Sequence, residues 1–389
     1  MPVAAPDLLS MIRGLVALPS VSAVQPTWDQ GNLAVVERLA DWLEALGFRC
    51  ELLALDDPRK ANLVATLGSG PGGLVLAGHT DTVPYDSSGW RHDPFGGIEA
   101  DGRIYGLGTA DMKSFLALAA EAARGLRAQD LRRPLVILAT ADEESSMDGA
   151  RALVAAGRPL GRYAVIGEPT GLKPIRLHKG VMMEAIRVQG RAGHASDPSL
   201  GNSALEGMHR VIGELLAMRA GWATRYRNPQ FAVEVPTLNL GHIHGGDNPN
   251  RICAHCELHI DIRPLPGMCL HALREEIDAH LARALEGTGL GWSSEALIEG
   301  IEPFETPADS RLVAAAEQLT GHTAGSVAFG TEGPYLNKLG MDTIILGPGD
   351  IAQAHQPDEY LALDRIPPTL ELLRALIRRF CIDVPDPAA

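Results

Sequence analysis

At 389 residues the chain exceeds the size of a usual single core, so two domains are the expectation. A hydrophobic content of 46% with 42 glycines and 27 prolines reads as globular and loop-rich, which excludes a disordered or fibrous chain. The net charge of −14 argues against nucleic acid, which needs clustered Lys and Arg, and mildly favours cationic small molecules.

Five scattered cysteines fit free thiols in a reducing cytosol, not a disulfide framework. The first twenty residues lack the basic region and continuous apolar core of a signal peptide, and no apolar run reaches membrane-spanning length. A cytoplasmic location, with no membrane partner, is the expectation.

In chain order, Leu8, Leu9, Ile12, Leu15 and Val16 mark a short amphipathic helix. Leu33, Val36, Leu39, Leu43 and Leu46 recur at helical spacing up to Gly47. Phe48 to Leu55 and Ala61 to Leu67 read as strands. The run Leu74-Val75-Leu76-Ala77 reads as a buried strand ending at Gly78-His79-Thr80-Asp81. A second continuous apolar strand, Leu135 to Ala139, runs into Asp142-Glu143-Glu144, and a third, Tyr163 to Ile166, into Gly167-Glu168. Continuous apolar strands alternating with helices predict a mostly parallel sheet covered on both faces.

Near Lys179 the pattern changes. Strands with one polar face, at Val181 to Gln189, Thr237 to Leu240 and Arg251 to Arg263, alternate with helices around Leu205 to Leu215 and Leu270 to Leu285. A last strand is expected near Trp292 to Ile298. This is a small α+β two-layer sandwich inserted in an α/β domain. The expected boundaries are 1–179 and 296–389 for the metal-binding α/β domain and 180–295 for the insert.

Acidic and histidine groups therefore collect at strand ends: His79 and Asp81, Glu143 and Glu144, Glu168, and later His355, with Asp111 on a further turn. In open α/β sheets ligands bind beyond the carboxyl ends of the strands. Each group alone reads as a cap or a surface ion pair. Together they suit Zn²⁺, with Co²⁺ or Mn²⁺ as alternatives, because divalent cations relieve the repulsion of clustered carboxylates. One carboxylate of the Glu143-Glu144 dyad can bind metal while its neighbour accepts a proton from water. If the strand stays extended past His79, Asp81 shares its face and can orient the imidazole.

The segments Gly78-His79-Thr80-Asp81-Thr82-Val83-Pro84, Gly108-Thr109-Ala110-Asp111-Met112-Lys113, Asp142-Glu143-Glu144 and Gly167-Glu168-Pro169-Thr170 resemble those of the M20 metallopeptidases, co-catalytic zinc aminoacylases and carboxypeptidases. The resemblance spreads over nearly the whole chain. It implies a zinc-exopeptidase-like fold and two divalent metal ions per subunit. His79, Asp111 and Glu168 would hold one ion, and Asp111, Glu144 and His355 the other. Glu143 would be the general base and Asp81 the carboxylate supporting the ligands.

The same resemblance implies a dimerising insert. His194, in Gly193-His194-Ala195-Ser196, would reach the partner subunit's site and donate to the oxyanion. From the residues alone, His194 reads as a surface loop residue. Arg263 and Asn250 would bind the substrate's α-carboxylate. The expected reaction is hydrolysis of the amide of an Nα-acyl amino acid, N2-acetyl-L-ornithine before others, in arginine biosynthesis. Succinyl-diaminopimelate, acetylcitrulline or a dipeptide are alternatives within the family, and a non-catalytic binding module is the alternative outside it. Glu332 is a candidate for the ornithine ammonium or, equally, a helix-start carboxylate. Cys253 and Cys256 lie three apart on a strand and do not form a zinc knuckle.

Overall fold

The computed structural model describes residues 5–384. Two compact units emerge from the contacts. The first runs up to Arg176 and resumes over Thr306–Gly325 and from Glu332 on; the second is Leu177–Glu305 with Ser326–Thr331.

The first unit opens with α1 (Leu8–Val16) and α2 (Leu33–Ala45), whose apolar stripes are buried in the main core. Asp7 caps α1 by accepting from the Ser10 N–H at 3.0 Å. The strands β1 (Arg49–Ala54), β2 (Ala61–Leu67) and β3 (Leu74–His79) follow, then the short β4 (Ile98–Ala100) and β5 (Arg103–Tyr105). Helix α3 (Lys113–Ala123), β6 (Leu135–Thr140), α4 (Asp148–Ala156) and β7 (Tyr163–Ile166) complete this stretch, and β8 (Ile175–His178) spans the boundary, with Leu177 and His178 counted in the second unit.

Every residue of β3 and of β6 is buried, as their unbroken apolar sequences predict. These strands run parallel to each other, and β7 runs parallel to β3. The β1–β2 and β2–β6 ladders are antiparallel. The sheet is therefore mixed, with its parallel ladders at the centre. That centre fixes the site, because β6, β3 and β7 are adjacent and end at the same edge.

The second unit carries β9 (Met182–Gln189), α5 (Ala204–Arg225), β10 (Thr237–Gly245), β11 (His255–Arg263), α6 (Leu270–Leu285) and β12 (Gly291–Ala296). Its sheet has the order β10-β11-β9-β12 with antiparallel ladders throughout. In β11, Cys256, Leu258, Ile260 and Ile262 face the core beneath α5 and α6, and the alternate residues do not. A bulge between Leu240 and His242 shifts the β10 register. Beyond it, His242, Ile243 and His244 are exposed on an edge strand.

Two short strands, β13 (Phe304–Glu305) and β14 (Gly325–Val327), bracket α7 (Arg311–Thr320). The chain then returns to the first unit with α8 (Gly333–Lys338), β15 (Asp342–Ile345), β16 (Tyr360–Ala362) and α9 (Ile366–Ile377). Strand β15 lies parallel to β7, which extends the parallel centre by one strand. Among the described residues no helix is long and apolar enough to cross a membrane.

Candidate metal centre

His79 is the last residue of β3 and is fully buried. Two residues past the end of β6, Asp142 takes a positive φ of 61° and starts the turn that presents Glu143 and Glu144. Two residues past the end of β7 stands Glu168. Parallel pairing matches Gly78 with Ala139 and Ala77 with Ile166, so the three strand exits fall side by side. The preceding Gly167 permits this approach, since a Cβ there would lie 1.9 Å from the Phe115 ring.

The side chains converge. His79, Glu143 and Glu168 each offer a ligand atom within 4.8 Å of the others, as do His79, Asp111 and Glu144. Asp111 is placed between two histidines: its Oδ1 is 3.1 Å from His79 Nε2, and its Oδ2 is 3.5 Å from His355 Nε2. His355 Nε2 is also 3.1 Å from Glu144 Oε1, and Glu168 Oε1 is 3.8 Å from His79 Nε2. Asp111 thus turns one oxygen to each of the two histidines.

The electrostatics ask for cations. Burial and the neighbouring Glu168 push Glu143 well above the usual carboxylate range; burial and Asp111 do the same to Glu168. Burial would also raise Asp111, but its bonds to His355 and His79 hold it below that range. His355 is pushed up to about 10 by Asp111 and Glu144. Asp81 Oδ1 and Glu168 Oε1 are buried without a hydrogen-bond partner. Imidazole and carboxylate donors, orphaned oxygens and mutual repulsion all fit divalent cations, with zinc suited to the histidine share.

Asp81 differs from expectation in detail. His79 Nδ1 is 2.9 Å from the Asp81 backbone carbonyl, whereas the carboxylate Oδ1 lies at 3.8 Å. The carbonyl, not the carboxylate, therefore orients the ring. The Asp81 carboxylate instead accepts the Glu144 N–H at 3.0 Å and ties two wall segments together. Burial raises it to about 6.

Three groups with a part in the site carried no role in the sequence reading. Glu359, 1% exposed, accepts the N–H groups of Ala110 at 2.7 Å and of Asp111 and Gly108 at 3.0 Å. Lys60 bridges Asp29 at 2.8 Å and Asp142 at 2.7 Å, both with nearly buried carboxylates. Lys113, fully buried, donates to the carbonyls of Leu18 at 2.8 Å and Leu15 at 3.4 Å, anchoring the start of α3 to the end of α1. Of the three, only Lys113 lies in a segment that carries the family resemblance, and nothing in sequence names the partners of any of them.

Glu332 stands at the helix start that the sequence offered as one of its two readings. It is 1% exposed at the start of α8, and burial pushes it up to about 7, with Thr140 and His79 opposing. Both of its carboxylate oxygens are buried without a hydrogen-bond partner.

The remaining candidates belong to the second unit. His194 is exposed on a loop where the Ser196 N–H donates to its Nδ1 at 3.2 Å. The Ser196 hydroxyl lies 2.7 Å from the same nitrogen, so Nε2 is the ring atom left open. Asn250 is exposed and its carbonyl accepts from the Ala195 N–H at 3.0 Å. Arg263, half-buried, forks onto Asp261 at 2.9 and 3.0 Å. Cys253 and Cys256 are buried free thiols, and the Cys253 thiol donates to the His255 carbonyl.

Comparison with known proteins places this geometry. Residues 75–379 match the profile of peptidase family M20/M25/M40. The chain is 50% identical to an acetylornithine deacetylase of Edwardsiella ictaluri over 97% of its own length and 98% of that protein's. It is 49% identical to an acetylornithine deacetylase of Proteus mirabilis over 97% of both chains. Among solved structures it resembles the aminopeptidase PepT of Bacillus cereus, with a TM-score of 0.73 and 21% identity over 95% of this chain and 97% of that one. It also resembles a dinuclear metal-binding M20 peptidase of Bacillus subtilis, with a TM-score of 0.65 and 16% identity over 95% and 97% of the two chains. At such identities these structures speak for the fold alone. The chain belongs to peptidase family M20/M25/M40.

Proposed function

We propose that the chain hydrolyses the amide of N2-acetyl-L-ornithine, giving L-ornithine and acetate. The observation that carries this reading is the 48–50% identity to acetylornithine deacetylases over 97% of the chain. The convergence of His79, Asp111, Glu143, Glu144, Glu168 and His355 supplies the chemistry.

His79, Asp111 and Glu168 would hold one divalent cation, and Asp111, Glu144 and His355 a second. Zinc is the proposed metal and cobalt its substitute. When bound, the pair supplies Lewis acidity to the water and to the amide carbonyl. Glu143 lies among these groups and is the general base. Its carboxylate takes a proton from the attacking water and returns it to the nitrogen as the C–N bond breaks. Asp81 holds the Glu144 backbone through its N–H.

We assign His194 to the oxyanion, because its Nε2 is left open while Nδ1 is engaged by Ser196. Arg263, with Asn250, is assigned to the α-carboxylate: a guanidinium already forked onto Asp261 matches that geometry. Delivery of His194 from a second copy requires a homodimer. The exposed edge strand β10, with Ile243 at 50% exposure, offers the surface for one.

Incubating the purified, zinc- or cobalt-loaded protein with N2-acetyl-L-ornithine tests the reading. Equimolar acetate and ornithine are expected. Release from other N-acyl amino acids but not from this one would move the assignment to another member of the family.

A further inference from the structure

Beside Glu144, within the first unit, lies a cavity of about 590 Å³ walled by Ala23, Val24, Trp28, Tyr85 and Asp86. One wall is the loop of residues 21–30. Its place is fixed by the Ser22 hydroxyl, 2.7 Å from Asp142 Oδ1, and by Asp29, which accepts from the Ala23 N–H at 3.2 Å and from Lys60 at 2.8 Å. Lys60 also holds Asp142, so this wall and the turn bearing Glu143 and Glu144 form one hydrogen-bonded piece. The other wall, Pro84 to Asp86, continues the segment that leaves β3 through His79 and Asp81. Its Tyr85 ring is braced edge-on by Phe95 at 5.3 Å.

The lining has a definite chemistry. It carries two aromatic rings and two carboxylates, Asp86 and Glu144, and neither Lys nor Arg. Trp28 at 51% and Val24 at 83% exposure leave apolar surface open at its rim. Asp86 Oδ1 accepts the Ser88 N–H at 2.9 Å, which orients the carboxylate. A substrate carboxylate here would meet like charge. A polymethylene chain ending in an ammonium suits it, with the stem on the rings and the charge beside Asp86.

We propose that this cavity is the side-chain subsite, in which Asp86 is the counter-ion for the substrate's terminal ammonium and Trp28 and Tyr85 line its stem. The proposal rests on the deacetylase reading above and assigns the ammonium to Asp86 where the sequence offered Glu332.

The test compares kcat/KM for N2-acetyl-L-ornithine and for N-acetyl-L-norvaline, which lacks only the terminal ammonium. The unaltered protein is expected to prefer the ornithine derivative. In Asp86→Asn that preference falls about tenfold, and Trp28→Ala raises KM for acetylornithine about fivefold. An undiminished preference in Asp86→Asn overturns the subsite. Absence of acetate release by the unaltered protein overturns the deacetylase reading itself, so the two failures are told apart.

Discussion

Glu359 holds Asp111 by its backbone: the Glu359 Oε1 accepts the Asp111 N–H at 3.0 Å and that of Ala110 at 2.7 Å. Glu359 lies four residues past His355, so the same loop delivers one histidine and fixes the carboxylate proposed to bridge both ions. Burial drives Glu359 up to about 8, against the pull of its backbone donors, and cations bound at the site would favour its ionised form. Glu359→Ala strands three buried amides. It is expected to cost on the order of 3 kcal/mol of stability and to weaken binding at the Asp111 positions. Thermal unfolding and zinc titration calorimetry measure the two effects.

Lys60 supports a different wall. Its ammonium separates two buried carboxylates, Asp29 and Asp142, and Asp142 begins the turn of Glu143. Lys60→Met leaves the buried Asp142 without a cation, while Asp29 keeps Arg59 at 3.2 Å, at a cost of about 3 kcal/mol. A drop in Tm is expected, with a smaller one in Lys60→Arg. Equal Tm values for all three proteins would remove Lys60 from the account.

Metal should stabilise the fold as well as serve the chemistry. The free carboxylates repel one another, and folded protein binds cations that the unfolded chain does not assemble. At a metal concentration of 100 times Kd the gain is about 2.7 kcal/mol. Chelation is therefore expected to lower Tm and abolish turnover, with zinc or cobalt restoring both.

A pH effect is expected from the second unit. His178 is fully buried against Phe304, with Nδ1 2.8 Å from the Lys179 carbonyl and Nε2 accepting from the Thr331 N–H at 3.3 Å. Burial holds it down at about 4. The unfolded chain therefore binds the proton more tightly, and this contribution is present above about pH 6.5 and lost as pH falls toward 4. Over that range it amounts to about 3 kcal/mol. Unfolding followed from pH 7 to 4.5 should show the loss, and His178→Gln should flatten it.

The strand exits were legible because continuous apolar runs ending in His or Glu leave few other readings. Residues 74–79, 135–140 and 163–166 are strands, and His79, Glu143, Glu144 and Glu168 stand at or just beyond their ends. What sequence does not carry is partner choice. Asp81 is two residues from His79, yet its backbone carbonyl meets the ring and its carboxylate reaches the Glu144 N–H. Glu332 had two readings in sequence, and its burial at the start of α8 is a property of the fold around it, not of its motif. Lys60 and Glu359 act on groups 82 and 248 positions away, a pairing that only the tertiary structure supplies.

The most direct test of the central claim compares the metal-loaded protein with its Glu143→Gln variant on N2-acetyl-L-ornithine, with bound metal measured in parallel. Equimolar acetate and ornithine are expected from the first. The variant should keep its metal and lose on the order of 10²–10⁴ in rate. Near-normal turnover by Glu143→Gln, or no acetate from the unaltered protein, would contradict the account.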